Sequence, residues 1–138
     1  MIIEFPSFEF LFSWFICVFI YVMIHEIFHH VFALFVGFKV KGWVFKKYMV
    51  GVQIDFDETK LSMREIKYKL LLVMSAPFLC LPIMFEIGFL AYKNNNFDFA
   101  IHSFIMIVYG FFYSCYESSI IYLKNVREIK ILKTYDIV

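Results

Sequence analysis

The chain has few of the residues that mark soluble, linker-rich or disulfide-bonded proteins. Charged residues make up only 18% of the 138 positions, which include 5 glycines, 3 prolines and 3 cysteines. No Gly/Ser-rich linker, internal repeat or low-complexity tract interrupts the sequence, so we expect one domain over residues 1–138. Cys17, Cys80 and Cys115 all fall within apolar stretches, which favours small packing residues over a disulfide framework.

Apolar residues dominate the rest of the composition. The sequence is 62% hydrophobic and 22% aromatic, against roughly 45–50% apolar residues in a soluble domain. A membrane-spanning helix needs about 20 residues, and three apolar stretches exceed that length: Phe8 to Phe38, Leu70 to Tyr92 and Phe99 to Leu123. Pro77 and Pro82 are expected to bend the second, and Asn94 to Asn96 predict a tight polar turn before the third. The sequence therefore predicts an all-α membrane protein with three transmembrane helices in the lipid bilayer.

The positive charges indicate an orientation. The net charge of +1 gives no reason to expect nucleic acid as a partner. Lysines and arginines instead concentrate after the first and the third apolar stretch, whereas the turn near Lys93 carries one positive charge. By the positive-inside rule, we expect the N-terminus outside the cell and the C-terminus in the cytoplasm. Glu4 and Glu9 stand where a removable signal peptide would be basic, so the first span is expected to stay in the protein.

The segment from Lys39 to Phe56 has a different pattern. From Tyr48 to Phe56 it alternates with a period of two and is rich in aromatic and β-branched residues. This predicts a short β-hairpin after the first span, in the cytoplasm or the membrane interface. Two roles remain open for it: a cover for the end of the first span, or an edge strand that pairs with an unwound substrate.

The most specific motif is H-E-x-x-H, which occupies His25 to His29 inside the first apolar stretch. Ionisable side chains within a membrane-crossing helix are costly and persist mainly where they bind or react. On a helix, His25 and His29 project from one face and can hold one metal ion, while Glu26 lies close enough to act on a metal-bound water. The motif predicts a zinc site with Glu26 as the general base.

A catalytic zinc site needs a third protein ligand and leaves a fourth position for water. The predicted spans offer three further candidates: Glu86, His102 and Glu117. At 1.5 Å of rise per residue, His29 lies about 14 Å from the inner end of the first span and Glu117 about 10 Å from the inner end of the third. These two side chains can therefore meet. Glu86 and His102 are near the outer ends of their helices, where we expect interfacial polar residues that reach headgroups or each other.

Small residues also favour Glu117. Gly110, Ser114 and Ser118 form a small-xxx-small stripe beside Glu117, and such stripes let transmembrane helices approach closely. Ala33 on the first span is expected to offer similar room. The alternative is that Glu117 only neutralises a histidine.

His30 follows the motif directly and lies four residues after Glu26. Glu26 and His30 therefore form a second stripe on the helix, from which a ligand pair could also be drawn. The choice of His25 and His29 as ligands leaves Glu26 free as a base. His30 is then a neighbour that supports the site, a donor toward the transition state, or a polar residue satisfied within the bundle.

Together these residues resemble a known family. The H-E-x-x-H motif on a first span, the strand-rich segment after it, Ser75-Ala76-Pro77 on the second span and an acidic residue on the last are similar to the site-2 protease class of intramembrane metalloproteases. The whole chain is more closely similar to the small bacterial zincin peptidases of unknown substrate. The resemblance implies Zn²⁺ held by His25, His29 and Glu117, with Glu26 as the catalytic residue.

The sequence thus predicts a zinc metalloprotease that hydrolyses a peptide bond in or near a membrane segment of a protein or peptide substrate. One alternative is a non-catalytic membrane protein, such as an immunity or regulatory partner, with a structural or degenerate metal site. A b-type haem protein is disfavoured, because His102 and His29 lie toward opposite faces of the membrane. The sequence indicates no particular oligomeric state.

The lysine distribution generates a prediction about topology. Reporter domains fused after Lys133, or inserted between Lys46 and Lys60, should be cytoplasmic, and a reporter at Asn95 should be external. Alkaline phosphatase and green fluorescent protein fusions measure these locations in cells. A cytoplasmic reporter at Asn95 would contradict the span count and the depth argument for Glu117.

Overall fold

The computed structural model describes residues 7–46, 49–55 and 62–135, which form three long helical stretches with a β-hairpin after the first. By length and composition, Phe8–Phe35, Met63–Lys93 and Phe97–Ile129 could each cross a membrane. The predicted fold class is therefore confirmed, and the architecture is compatible with a multi-pass membrane protein.

Helix α1 spans Phe8–Phe35 and is capped at its start by the side chain of Ser7. It ends three residues earlier than predicted, because Gly37 adopts a left-handed conformation with φ of +82°. The amide of Phe38 then bonds back to the carbonyl of Ala33 at 2.9 Å, and the two side chains share a buried cluster. This is a Schellman termination, which satisfies the last carbonyls of a helix and redirects the chain.

Strands β1 (Lys39–Lys46) and β2 (Met49–Asp55) form an antiparallel hairpin. Lys39 pairs with Asp55 and Lys46 with Met49, and the register shifts just before Gly42, whose φ is +147°. The predicted hairpin is therefore confirmed. Tyr48 and Phe56, which bound the predicted alternating stretch, lie outside the described residues.

The second stretch is α2 (Met63–Ser75), a 3₁₀ turn (Ala76–Leu79) and α3 (Cys80–Lys93). It begins before the predicted Leu70, because Ser62 and Glu65 form a reciprocal capping box. Pro77 lies in the 3₁₀ turn and has no amide hydrogen, so it cannot donate the α-helical bond to the residue four positions earlier. Pro82 lies in the first turn of α3, where a proline is tolerated.

The third stretch is α4 (Phe97–Tyr116), a π-helical turn (Glu117–Ile121) and α5 (Tyr122–Tyr135). The predicted turn before it is confirmed, with Asn95 at φ of +57° and Asn96 capping α4. The helix continues past the predicted end at Leu123, because Ile129 of α5 is buried in one cluster with Ile66 and Leu70 of α2.

Helices α1 and α4 approach closely at Gly110. A Cβ atom at that glycine would lie 2.6 Å from a ring carbon of Tyr21, so only glycine admits the ring. The predicted role of the small-residue stripe is thus confirmed at Gly110. Ala33 is buried and packs with Val73 of α2 and Phe38.

The cysteines match their predicted role. Cys17 and Cys80 are buried in one apolar cluster with Met84 and Met106, and all three cysteines are free.

Candidate metal centre

His25, His29 and Glu117 come together in the interior. Their candidate ligand atoms all lie within 4.8 Å of one another. The three residues are 2%, 7% and 7% exposed, respectively, so the group is screened from solvent by protein. It is the one such group of three or more metal-ligating side chains in the part of the chain that the structure describes.

The distances within this group suit a metal ion. The Nε2 atom of His25 lies 2.9 Å from Oε2 of Glu117, and the Nε2 atom of His29 lies 3.3 Å from the same oxygen. Ligands held about 2.0–2.2 Å from a tetrahedral zinc ion would be separated by about 3.3–3.6 Å. The separations in the protein therefore need only small adjustment around an ion.

His25 supplies a further test of the fit. Its Nε2 atom is buried and has no hydrogen-bond partner among the described residues, although it lies 2.9 Å from Oε2 of Glu117. Buried polar atoms in proteins are nearly always paired. An imidazole nitrogen that lies beside a carboxylate without bonding to it is the arrangement expected where a cation would complete the set.

The Nδ1 atoms of His25 and His29 also have partners within hydrogen-bond distance. Nδ1 of His29 lies 2.9 Å from the carbonyl oxygen of Val73, and this oxygen can only accept, so Nδ1 carries the hydrogen. Nε2 then keeps its lone pair for a metal. Nδ1 of His25 lies 3.3 Å from the hydroxyl of Tyr21, one helical turn earlier.

Pro77 explains why the carbonyl of Val73 is available. The residue four positions after Val73 would normally donate to that carbonyl in an α-helix, but here it is Pro77, which has no amide hydrogen. The carbonyl also accepts from the amide of Ala76, which leaves one lone pair for His29. A break in α2 thus orients a ring on α1.

Glu117 begins the π-helical turn between α4 and α5. Short π-helical turns are frequent at functional sites, because they change which side chains a helix directs toward its neighbours. Here the carboxylate faces the two histidines of α1, as the depth argument and the resemblance predicted for the third ligand.

Glu26 lies beside the ligands without joining their group. It is 7% exposed and lines a cavity of about 230 Å³ that His29 and Glu117 also line. The other walls are mostly apolar, and those residues are Val50, Gly51, Val52, Ile54, Val73, Met74, Tyr113 and Ile121. The carboxylate predicted to be the base therefore faces the same space as the ligands.

His30 points away from this arrangement. Its ring centroid lies 6.2 Å from that of Trp43 on β1, and its buried Nδ1 atom has no hydrogen-bond partner in the described ranges. It connects α1 to the hairpin, and its predicted role as a supporting residue stays a prediction.

Glu86 and His102 are not brought to the metal group. Glu86 is exposed on α3, as expected of an interfacial residue. His102, however, is only 1% exposed, so the expectation that it reaches headgroups is wrong. Its Nδ1 lies 3.0 Å from the hydroxyl of Ser13, and the rings of Phe10 and Trp14 cover it, because α1 extends alongside it at this end.

Two side chains near the ligands went unpredicted. Tyr21 precedes His25 by four residues and Tyr113 precedes Glu117 by four, so each shares a helix face with a ligand. That spacing was visible in the sequence, but tyrosine is common in membrane spans and gave no distinct signal.

Comparisons of the chain with protein-family models, with curated proteins and with solved structures find no match.

The geometry predicts the metal content of the purified protein. Wild-type protein should retain about one zinc ion per chain, and His25→Ala, His29→Ala and Glu117→Ala should each lose most of it, because each removes one of three ligands. Elemental analysis by inductively coupled plasma mass spectrometry measures the ratio.

Two variants control this experiment. Glu26→Gln should keep zinc, since Glu26 is outside the ligand group, and Glu86→Gln removes a carboxylate elsewhere on the bundle and should also keep it. Equal zinc loss in Glu26→Gln would make Glu26 a ligand, and zinc retained in Glu117→Ala would remove Glu117 from the site.

Proposed function

We propose that this protein is a zinc-dependent intramembrane peptidase that hydrolyses a peptide bond in or near a membrane segment. The observation that carries the proposal is the buried meeting of His25, His29 and Glu117 beside a cavity that Glu26 also lines. Two imidazoles and one carboxylate form a ligand set typical of catalytic zinc, and a free carboxylate beside them suits a general base.

The chemistry follows from these positions. When bound, a zinc ion would supply Lewis-acid chemistry, which makes water acidic enough to react near neutral pH and polarises a peptide carbonyl. Glu26 takes a proton from water as the water oxygen bonds to the carbonyl carbon. The C–N bond then breaks, and Glu26 returns the proton to the departing amine. One new carboxyl end and one new amine end are formed.

The hairpin supports a role in holding the substrate. A membrane helix has all of its backbone groups paired, so it must unwind before a peptide bond can be attacked. β2 lines the cavity with Val50, Gly51, Val52 and Ile54. Within the described sheet, β1 is the one strand that pairs with β2. The other edge of β2 can therefore pair with an extended substrate segment.

The enclosed position of the site supports hydrolysis within the membrane. Glu117 and the motif lie within two of the helical stretches that are able to span a bilayer. With the orientation inferred from the lysines, the candidate ligands lie toward the cytoplasmic side of the membrane.

Glu26→Gln tests the chemistry. The variant should keep zinc and lose cleavage by about 100-fold or more, because the amide cannot accept a proton from water. New peptide termini in membranes of cells that produce wild-type or Glu26→Gln protein, compared by mass spectrometry, identify substrates and measure the loss.

The same comparison discriminates between a peptidase and the alternative of a non-catalytic protein. If wild type and Glu26→Gln both hold zinc and the same peptide termini are found in the membranes of both kinds of cell, a non-catalytic membrane protein with a structural metal site would be favoured.

Val52→Phe tests the cavity and the β2 edge. Val50, Val52 and Ile54 alternate along β2 and all line the cavity, so a larger side chain at Val52 would occupy space on the face of the strand that Glu26 shares. Cleavage of a peptide identified above should fall on the order of 100-fold, since displacement of a substrate by about 1 Å can cost that much. Zinc content should be unchanged.

Gln53→Phe is the matched control. Gln53 is exposed on the same strand and does not line the cavity, so this variant adds an aromatic ring on the opposite face, away from the site. Equal activity of Val52→Phe and wild type would exclude this cavity as the substrate site.

A further inference from the structure

Peptide hydrolysis at this site leaves one role without an assigned residue. When water adds to a peptide carbonyl, the carbonyl oxygen acquires negative charge, and a hydrogen-bond donor aimed at that oxygen adds to the polarisation that a zinc ion would supply. Glu26 acts on the water in this proposal, while His25, His29 and Glu117 are the candidate metal ligands. A hydrogen-bond donor for the carbonyl oxygen would come from elsewhere in the cavity.

The lining of the cavity narrows the choice to one side chain. Most of its residues are apolar, Glu26 and Glu117 are acidic, and the imidazole hydrogen of His29 is directed to the carbonyl of Val73. Tyr113 alone among these lining side chains has a neutral hydroxyl group that can donate.

Tyr113 is also placed beside the ligands. It lies one helical turn before Glu117. Its ring centroid is 5.4 Å from that of His25. The side chain of Tyr113 thus lies beside the ligands and lines the cavity in which a substrate carbonyl would lie.

A neighbouring ring steadies this side chain. The ring of Tyr109 stacks on Tyr113 with centroids 5.8 Å apart and an interplanar angle of 13°. Tyr109 is exposed and does not line the cavity. The two tyrosines therefore differ in access to the site while sharing one helix and one stack.

We propose that Tyr113 donates a hydrogen bond to the carbonyl oxygen of the scissile peptide bond and stabilises the negative charge that develops there. This inference rests on the proposed peptidase function. Tyr113 keeps its proton throughout: the water oxygen bonds to carbon, the C–N bond breaks, and the proton of the water passes through Glu26 to the amine.

Tyr113→Phe tests the assignment with Tyr109→Phe as its matched control. For a peptide cleaved by wild type and spared by Glu26→Gln, Tyr113→Phe should lower kcat by about 100- to 1000-fold, the usual effect of removing one such donor, with little change in KM. Tyr109→Phe should retain wild-type kcat. A phosphinic analogue of that peptide, which imitates the tetrahedral intermediate, should bind Tyr113→Phe more weakly by a similar factor, measured by calorimetry. Zinc affinity should be the same in all three proteins.

The outcomes separate this assignment from the proposed function. Full kcat and full analogue affinity in Tyr113→Phe, in a protein whose wild type cleaves, would overturn the role of Tyr113 alone. Reduced zinc affinity in Tyr113→Phe would overturn it too, and would make the residue a support for Glu117. Zinc-loaded wild type with no activity beyond that of Glu26→Gln would overturn the peptidase proposal, and the role of Tyr113 with it.

Discussion

The rest of this structure depends on the pairing of ionisable groups inside an apolar helix bundle. An unpaired polar group costs several kcal/mol in such surroundings, and a lone charge costs more. His25, His29 and Glu117 reduce that cost by meeting one another at one point. The helices must therefore cross where these side chains lie, and the crossing determines the positions of the cavity and the hairpin.

Three local features of the helices make this meeting possible. Gly110 leaves space for the ring of Tyr21, so that α1 and α4 approach closely one turn before the motif. Pro77 interrupts α2 and leaves the carbonyl of Val73 with room for His29. The π-helical turn begins at Glu117 itself. The second and third features cost some regular helical hydrogen bonding, and both lie next to a residue of the candidate centre.

The same arrangement places the hairpin beside the candidate centre. The Schellman termination after Phe35 turns the chain back, so that β2 forms a wall of the cavity beside Glu26. Glu26, the candidate ligands and an edge of β2 that no described strand pairs with then share one small space. A structural metal site would need only the ligands, so the positions of Glu26 and of this strand edge support the proposed peptidase.

The sequence alone determined the three apolar stretches, the hairpin and the shared helix face of His25 and His29, because hydrophobic length, alternation and i, i+4 spacing are local properties. Depth along the helices was also enough to prefer Glu117 over Glu86 and His102. Helix ends were less predictable, since Gly37 ends α1 early while burial of Ile129 extends α5.

Only the tertiary structure decided which side chains surround the ligands. The pairing of His29 with the carbonyl of Val73, the cover over His102 and the cavity position of Tyr113 each join residues on separate elements or far apart in the chain. Such contacts depend on the crossing and rotation of packed helices. Tyr21 lies against Gly110 where α1 and α4 approach, and no periodicity within one segment encodes that fit.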